Sequence, residues 1–333
     1  MGLIAPPSAA TFGCSSSEPL RIACVGDSLT RGDALHELPQ RHRVPAHKLR
    51  RPFHVELRSR GNYPALLQRL FGQHVHVRNF GHGGSTACNA SELPYAGTKE
   101  YKRVTRWEPH VAVVMLGTND AKGRFWRPGA TCGPNGEGFQ TGLLQILRAL
   151  QAAASPPPML LLVPPPPVLS DKFGIRAALL PPIRTLLRGL ARQLQSEASP
   201  RRRGTRGCNA GEVALLEPGL PIHARRDAFI ADGIHLNANA TALIACAVHE
   251  ALGDCFASRC ERAARTSVAT LQEADATDMC DATVGSGIDA PFVFTGMPCV
   301  ASSASSSAGA AGRCAALLRE ARNRGSPAVE HEL

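Results

Sequence analysis

The stretch RIACVGDSLTRG (Arg21–Gly32) decides the fold, because an apolar run ends within it on the turn-prone group Gly26-Asp27-Ser28. Gly and Asp favour turns, and a Ser at this point can cap the helix that follows. A Ser presented on such a turn can equally be a nucleophile. The rest of the chain has to distinguish these two interpretations.

Four further apolar runs resemble the first. All five are short, rich in Val and Leu and mostly continuous, which is typical of strands buried on both faces. Helical patterns separate them, and this alternation predicts an α/β fold with a parallel sheet and right-handed crossovers. The predicted strands are 21–26, 74–80, 110–117, 159–163 and 212–217, and the predicted helices are 63–72, 99–107, 139–154, 175–195 and 238–253.

The 333 residues, 44% of them hydrophobic, suffice for a full core. The strand–helix pattern weakens after the last predicted helix, and the segment 301–312 (ASSASSSAGAAG) is of low complexity. We therefore expect a flexible N-terminal segment over 1–18, one domain over 19–254, and a Cys-containing, largely low-complexity extension over 255–333 with room for one short helix. The sequence has no run of 18 apolar residues, so we expect no transmembrane helix.

The net charge of +10 raises the question of a nucleic-acid partner. Much of this charge lies in Arg41–Gly61 and Arg201–Gly207, and neither segment has the interleaved aromatic residues of a base-stacking surface. We therefore expect no nucleic-acid partner. Cys255 and Cys260 lack a second close ligand pair, which argues against zinc. The N-terminus lacks a secretory signal pattern, so the compartment stays open, with the cytoplasm favoured.

Four polar motifs follow the predicted strands or precede the last helix. They are Gly26-Asp27-Ser28, NFGHGGST (79–86), GTND (117–120) and DGIHLN (232–237). The carboxyl ends of parallel strands meet at one edge of a sheet, where ligands bind in such folds. The first three motifs should therefore converge, and a loop leading into the last helix would bring the fourth to the same edge.

Their residues suit the hydrolysis of an ester. A serine hydroxyl such as that of Ser28 is a weak nucleophile until a base takes its proton. His235 can be that base, and Asp232, three residues earlier, can orient its imidazole. The backbone N–H groups of Ser28 and Gly84 and the side-chain amide of Asn119 can stabilise the oxyanion that forms.

Each motif alone also has a structural explanation as a cap or a turn. GHGGST resembles a phosphate-binding loop in composition, although it matches neither GxGxxG nor GxxxxGK[ST]. The α/β-hydrolase elbow G-x-S-x-G is excluded, because no Gly lies two residues after Ser28. Four such motifs in this order at successive strand ends favour a catalytic site over four unrelated turns.

These motifs resemble blocks I, II, III and V of the SGNH, or GDSL-type, serine esterases and lipases, over about residues 19–254. The resemblance implies a flavodoxin-like three-layer α/β/α sandwich with a five-stranded parallel sheet in the order 2-1-3-4-5. It makes Ser28 the nucleophile and Asp232 and His235 its partners. Gly84, rather than Gly81, and Asn119 would complete the oxyanion hole.

A finer resemblance is to the sialate O-acetylesterase-like, or carbohydrate acetylesterase, subgroup. It is carried by GNYPALLQRLFG (61–72) and by VPPPPVL (163–169). The chain departs from that pattern by a basic insertion over 33–61 on the expected rim of the pocket. We expect Arg50 and Arg51, with neighbouring arginines Arg58 and Arg60, to favour an anionic substrate. Asp27, beside the nucleophile, is a further candidate for substrate contact.

The expected function is that of a serine esterase, without metal or other cofactor, which removes small acyl groups, O-acetyl in particular, from a carbohydrate. A lysophospholipase or thioesterase acting on longer acyl chains is the alternative within enzymes. A carbohydrate-binding module without catalysis is the alternative outside them. The chain length preferred in ester hydrolysis separates the first two, and loss of hydrolysis on substitution of Ser28 separates both from the third.

Overall fold

A computed structural model of the protein describes residues 19–33, 61–72, 75–197, 211–216, 222, 226–253 and 312–322. Within these residues a five-stranded parallel sheet has the order β2-β1-β3-β4-β5. The strands are β1 (Leu20–Gly26), β2 (Val75–Gly81), β3 (Val111–Met115), β4 (Met159–Leu162) and β5 (Val213–Leu215). The strand order that the family resemblance implied is confirmed.

Helices cover both faces of the sheet. They are α1 (Ser28–Arg31), α2 (Tyr63–Phe71), α3 (Lys99–Trp107), α4 (Glu137–Ala152), α5 (Leu180–Glu197), α6 (238–253) and α7 (312–322). One core cluster joins α2, α6 and α7 to one face of β1 and β3, and the other joins α3, α4 and α5 to the opposite face. Alternate residues of each central strand enter the two cores, for example Ile22 and Cys24 on one side and Ala23 and Val25 on the other. The molecule is therefore a three-layer α/β/α sandwich.

The observed elements differ from the predicted ones mainly at their ends. We expected a strand to residue 117, but β3 ends at Met115, because Gly117 has φ +127° and leaves the extended conformation. We expected a helix from residue 175, but α5 begins at Leu180, with Pro181 and Pro182 in its first turn. Proline is tolerated there because the first helical N–H groups have no partner within the helix.

The helix α7 packs against the domain although it lies far along the chain from α6. Leu317 and Ala321 are buried in the cluster that α2 and α6 form with the sheet. Glu320 accepts a hydrogen bond from Arg69 of α2 at 2.6 Å. The C-terminal region thus contributes one helix to the core. None of the helices in the described ranges is long and apolar enough to cross a membrane.

Candidate active site

Ser28 stands at the carboxyl end of β1, on a turn that only glycine permits. The chain turns directly from strand into helix at this point, which brings Thr30 against Gly26. A Cβ on Gly26 would lie 2.1 Å from Thr30 Oγ1, so a residue with a side chain does not fit there. Asp27 caps α1, and its Oδ1 accepts a hydrogen bond from the N–H of Leu29 at 2.9 Å. The capping role therefore belongs to Asp27, and the Ser28 hydroxyl is not needed for it.

The hydroxyl of Ser28 instead contacts a histidine from the far end of the domain. Ser28 Oγ lies 3.0 Å from His235 Nε2, and His235 Nδ1 lies 2.6 Å from Asp232 Oδ2. The other oxygen, Oδ1, accepts from the N–H groups of Ile234 and His235, each at 2.8 Å. With the Nδ1 proton donated to the carboxylate, Nε2 is left as an acceptor for the serine proton. The structure thus brings the three predicted side chains into one hydrogen-bonded chain.

Asp232 is held in its ionised form. Burial opposes its ionisation, but the hydrogen bonds from the His235 ring and from the backbone N–H groups of Ile234 and His235 outweigh burial and lower its pKa. An ionised Asp232 fixes the tautomer of His235 and stabilises the imidazolium that would form on proton transfer. The arrangement can therefore move a proton from a serine hydroxyl to an imidazole.

Asn119 lies beside this chain of hydrogen bonds and is oriented by a buried carboxyl group. Asn119 Nδ2 donates to Asp27 Oδ2 at 3.3 Å. Burial raises the pKa of Asp27 to about 7, against the hydrogen bond from Leu29 N, and the nearby Asp120 raises it further. Asp27 is only 1% exposed. Its position under Asn119 favours a positioning role over the substrate contact that we expected of it.

A family comparison agrees with this geometry. Residues 24–243 match the model of the GDSL-like lipase/acylhydrolase family, a span that runs from β1 into α6 and includes every residue of the hydrogen-bonded chain. The chain belongs to this family. The family is described as one of lipases and acylhydrolases.

Individual relatives resemble parts or all of the domain. An acetylxylan esterase from Xylanibacter ruminicola is 30% identical over 134 residues, which are 40% of this chain and 22% of that protein. The native aryl esterase of M. smegmatis has a TM-score of 0.47 at 17% identity over 71% of this chain and 99% of that one. Est24, a carbohydrate acetylesterase from Sinorhizobium meliloti, has a TM-score of 0.45 at 19% identity over 70% and 98% of the two chains.

The glycine-rich loop of the GDSL-family protein offers two candidate N–H donors, and their surroundings differ. The N–H of Gly81 already donates to Asn79 Oδ1 at 2.8 Å, and a Cβ on Gly81 would lie 2.4 Å from the backbone N of Arg31. Gly84 has φ +79°, and its N–H makes none of the hydrogen bonds found among the described residues. Gly84 therefore has a free N–H among the described residues and stays the predicted donor.

Asp120 is a residue whose importance the sequence analysis missed. Its carboxylate is fully buried and accepts from the N–H groups of Ala87 and Cys88 at 3.0 and 2.9 Å. It therefore ties the loop after β2 to the loop after β3, where Asn119 lies. The only signal was its place in the GTND motif, next to Asn119.

The predicted substrate contacts Arg50 and Arg51, like Arg58 and Arg60, lie outside the described residues. No group of three or more His, Cys, Asp and Glu side chains within the described ranges is arranged to hold a metal ion.

Proposed function

We propose that this GDSL-family protein is a serine esterase that removes small acyl groups, O-acetyl in particular, from a carbohydrate. The observation that carries the proposal is the unbroken chain of hydrogen bonds from Ser28 Oγ through His235 to Asp232, with contacts of 3.0 and 2.6 Å. The first contact lies within the range over which a base can act on a nucleophile, and the second lies within hydrogen-bonding distance of the carboxylate that orients the base.

In the proposed reaction Ser28 Oγ attacks the ester carbonyl while His235 Nε2 takes its proton. The tetrahedral intermediate collapses, the proton passes from Nε2 to the departing alkoxide, and the sugar leaves as an alcohol. A water then gives its proton to Nε2 and attacks the acyl group on Ser28. Collapse of this second intermediate returns the proton to Oγ and releases the carboxylic acid. Asp232 stays ionised throughout and stabilises each imidazolium.

The oxyanion of each intermediate is stabilised by the N–H groups of Ser28 and Gly84 and by Asn119 Nδ2. Such donors act strongly because they are already oriented before charge develops. The hydrogen bond from Asn119 to Asp27 supports this role for Asn119, since it restricts the rotation of the amide.

The choice of acetyl and carbohydrate rests on similarity to other proteins. It is supported by the resemblance to the carbohydrate acetylesterase subgroup and by the 134-residue segment that is 30% identical to an acetylxylan esterase. Hydrolysis of longer acyl chains, as by a lysophospholipase or thioesterase, is the alternative outcome of the test below.

Substitution of the nucleophile tests the proposal. We expect Ser28→Ala to lower kcat for p-nitrophenyl acetate by at least about a thousandfold, because no other hydroxyl contacts His235 Nε2 within the described residues. The rate is measured with EDTA present, beside p-nitrophenyl decanoate and acetylated methyl glycosides. An acetylated sugar that is hydrolysed faster than p-nitrophenyl decanoate confirms the substrate class.

The matched control is Ser196→Ala, an exposed serine near the end of α5, at the opposite edge of the sheet from Ser28. It should retain wild-type rates. Equal rates for Ser28→Ala and the wild type would contradict the catalytic role of Ser28. Preference for the decanoate ester would replace acetylesterase by lipase or thioesterase.

A further inference from the structure

A cavity of about 460 Å³ lies between the loop after β3 and the loop before α5. Its charged lining consists of Lys122, Arg124, Arg127 and Arg176, and the rest is the ring of Phe173 with two glycines. No acidic side chain of the described residues lines it. Its volume falls within the range of small-molecule sites and suits a sugar unit.

The cavity adjoins the Ser28–His235–Asp232 chain. Phe173 lines it and also packs edge-on against the His235 ring, with 6.2 Å between ring centroids. On the other wall, Lys122 follows Asn119 in the same turn, where Lys122 N–H donates to the Asn119 carbonyl at 3.3 Å. A molecule in the cavity would therefore lie beside both the proposed base and the proposed oxyanion donor.

The backbone at Phe173 is held in an unusual conformation. Phe173 has φ +57° and ψ +19°, in the left-handed region that a residue with a bulky side chain rarely adopts, and the residue is 64% exposed. The neighbouring segment is fixed to the loop of the base, because Ser170 Oγ donates to the Asp232 carbonyl at 2.6 Å. Strain of this kind is often kept where a side chain has a functional position.

The positive charge of the cavity is only partly neutralised. Arg124 pairs with Glu92 at 2.5 Å and Arg176 with Asp171 at 2.9 Å, and both acids lie outside the lining. Among the described residues, Lys122 and Arg127 make no salt bridge. Burial and the adjacent guanidinium of Arg124 lower the pKa of Lys122, and their effect outweighs the opposite effect of Glu92, Asp120 and Asp27.

We propose that this cavity binds an anionic group on the sugar that carries the ester: a carboxylate, sulfate or phosphate. The inference rests on the proposed function, since it names the substrate class of the same site. The guanidinium groups can form bidentate hydrogen bonds with such an anionic group. The exposed Phe173 ring can pack against the apolar face of the sugar. These cations are distinct from the basic residues expected on the rim over 33–61.

Equilibrium binding tests the inference without turnover. Wild-type protein is titrated calorimetrically with methyl glucuronide, methyl glucoside 6-sulfate, methyl glucoside 6-phosphate and neutral methyl glucoside, none of which has an ester to hydrolyse. We expect at least one anionic sugar to bind about tenfold more tightly than the neutral one. The anionic sugar with the lowest Kd identifies whether the cavity prefers a carboxylate, a sulfate or a phosphate. Equal Kd values for all four would overturn the inference.

Paired variants separate the cavity from the general charge of the protein. Arg124→Gln/Arg127→Gln removes two charges from the cavity, and Arg103→Gln/Arg106→Gln removes two from the surface of α3. We expect the first pair to lower the anionic-to-neutral ratio of kcat/KM, measured on the acetylated forms of these sugars, about tenfold. The second pair should leave that ratio unchanged. Equal effects of the two pairs would attribute the preference to the overall field and overturn the site.

The two proposals can fail separately. Selective binding of an anionic sugar by a protein that hydrolyses no ester would retain the cavity site and reject the esterase. Hydrolysis that depends on Ser28, with no selectivity for anionic sugars, would do the reverse.

Discussion

Asp27 is a carboxyl group that burial makes costly to ionise. The pKa of Asp27 is raised to about 7, and that of the neighbouring Asp120 to about 6, in both cases chiefly by burial. Between the ordinary carboxyl pKa near 4 and these raised values, these two groups bind more protons in the folded protein than in the unfolded one. The free energy of unfolding therefore decreases as pH rises through this window. Positioning Asn119 thus has a cost in stability at neutral pH.

Asp27→Asn should remove its part of this dependence, because an amide does not ionise. From pH 4.5 to pH 8, we expect the free energy of unfolding of Asp27→Asn to rise relative to that of the wild type by up to about 3 kcal/mol. Urea unfolding at the two pH values measures it. Asp171→Asn is the control, because the hydrogen bond from Arg176 lowers the pKa of the exposed Asp171, so this group is ionised at both pH values and its substitution should show no such rise. A pH-independent difference for Asp27→Asn would contradict burial as the cause.

Asn119→Ala should weaken catalysis with little effect on substrate binding. Its amide would contact the oxyanion, which exists only in the transition state and the intermediates, so kcat should fall about 10²- to 10³-fold while KM changes little. Steady-state kinetics on p-nitrophenyl acetate measure both constants. Asn135→Ala, at an exposed loop position, is the control. A rise in KM at constant kcat would assign Asn119 to ground-state binding instead.

At the scale of the elements, α7 is held to the domain by a small contact. Leu317 and Ala321 are its buried side chains, and Cys314 lies against Cys246 of α6. The hydrogen bond between the two thiols lowers the pKa of Cys314 and raises that of Cys246, and burial adds to the latter. The reactivity of Cys246 therefore reports on whether α7 is docked.

Leu317→Ala should release α7 and increase the alkylation of Cys246. Leu to Ala in a core costs about 2–5 kcal/mol, which is large for a helix with two buried side chains. Undocking uncovers the Cys246 thiol and returns its pKa toward the ordinary value, so both effects accelerate its reaction with N-ethylmaleimide. Peptide mass spectrometry locates the label. Arg319→Ala, on the exposed face of α7, should leave the rate unchanged, whereas an unchanged rate in Leu317→Ala would show that α7 does not protect Cys246.

At the scale of the whole molecule, the features that sequence predicts are those with a local signature. Continuous apolar runs predicted all five strands, because strands buried on both faces need no polar alternation. Asp232 and His235 were recognisable because they share one short loop. Strand and helix ends were less predictable, since they depend on single backbone angles such as that of Gly117.

The features that escaped prediction depend on contacts between distant segments. The lining of the cationic cavity comes from 122–127 and 173–176, neither of which has a recognisable motif. Asp120 could be identified as a residue of the third motif, but not as the acceptor for Ala87 and Cys88 in another loop. The docking of α7 likewise depends on a surface formed by α2 and α6.

The hydrogen bond between Ser28 and His235 joins residues 207 positions apart and so orders events on the ribosome. The proposed nucleophile emerges with the first strand, and the loops of Gly84 and Asn119 follow the second and third of the five strands. The proposed base, His235, emerges only with the loop before α6, roughly 10–40 s after Ser28 at ordinary rates of synthesis. During that interval a nascent chain carries Ser28 without His235, so the proposed hydrolysis can begin only after all five strands have been synthesised.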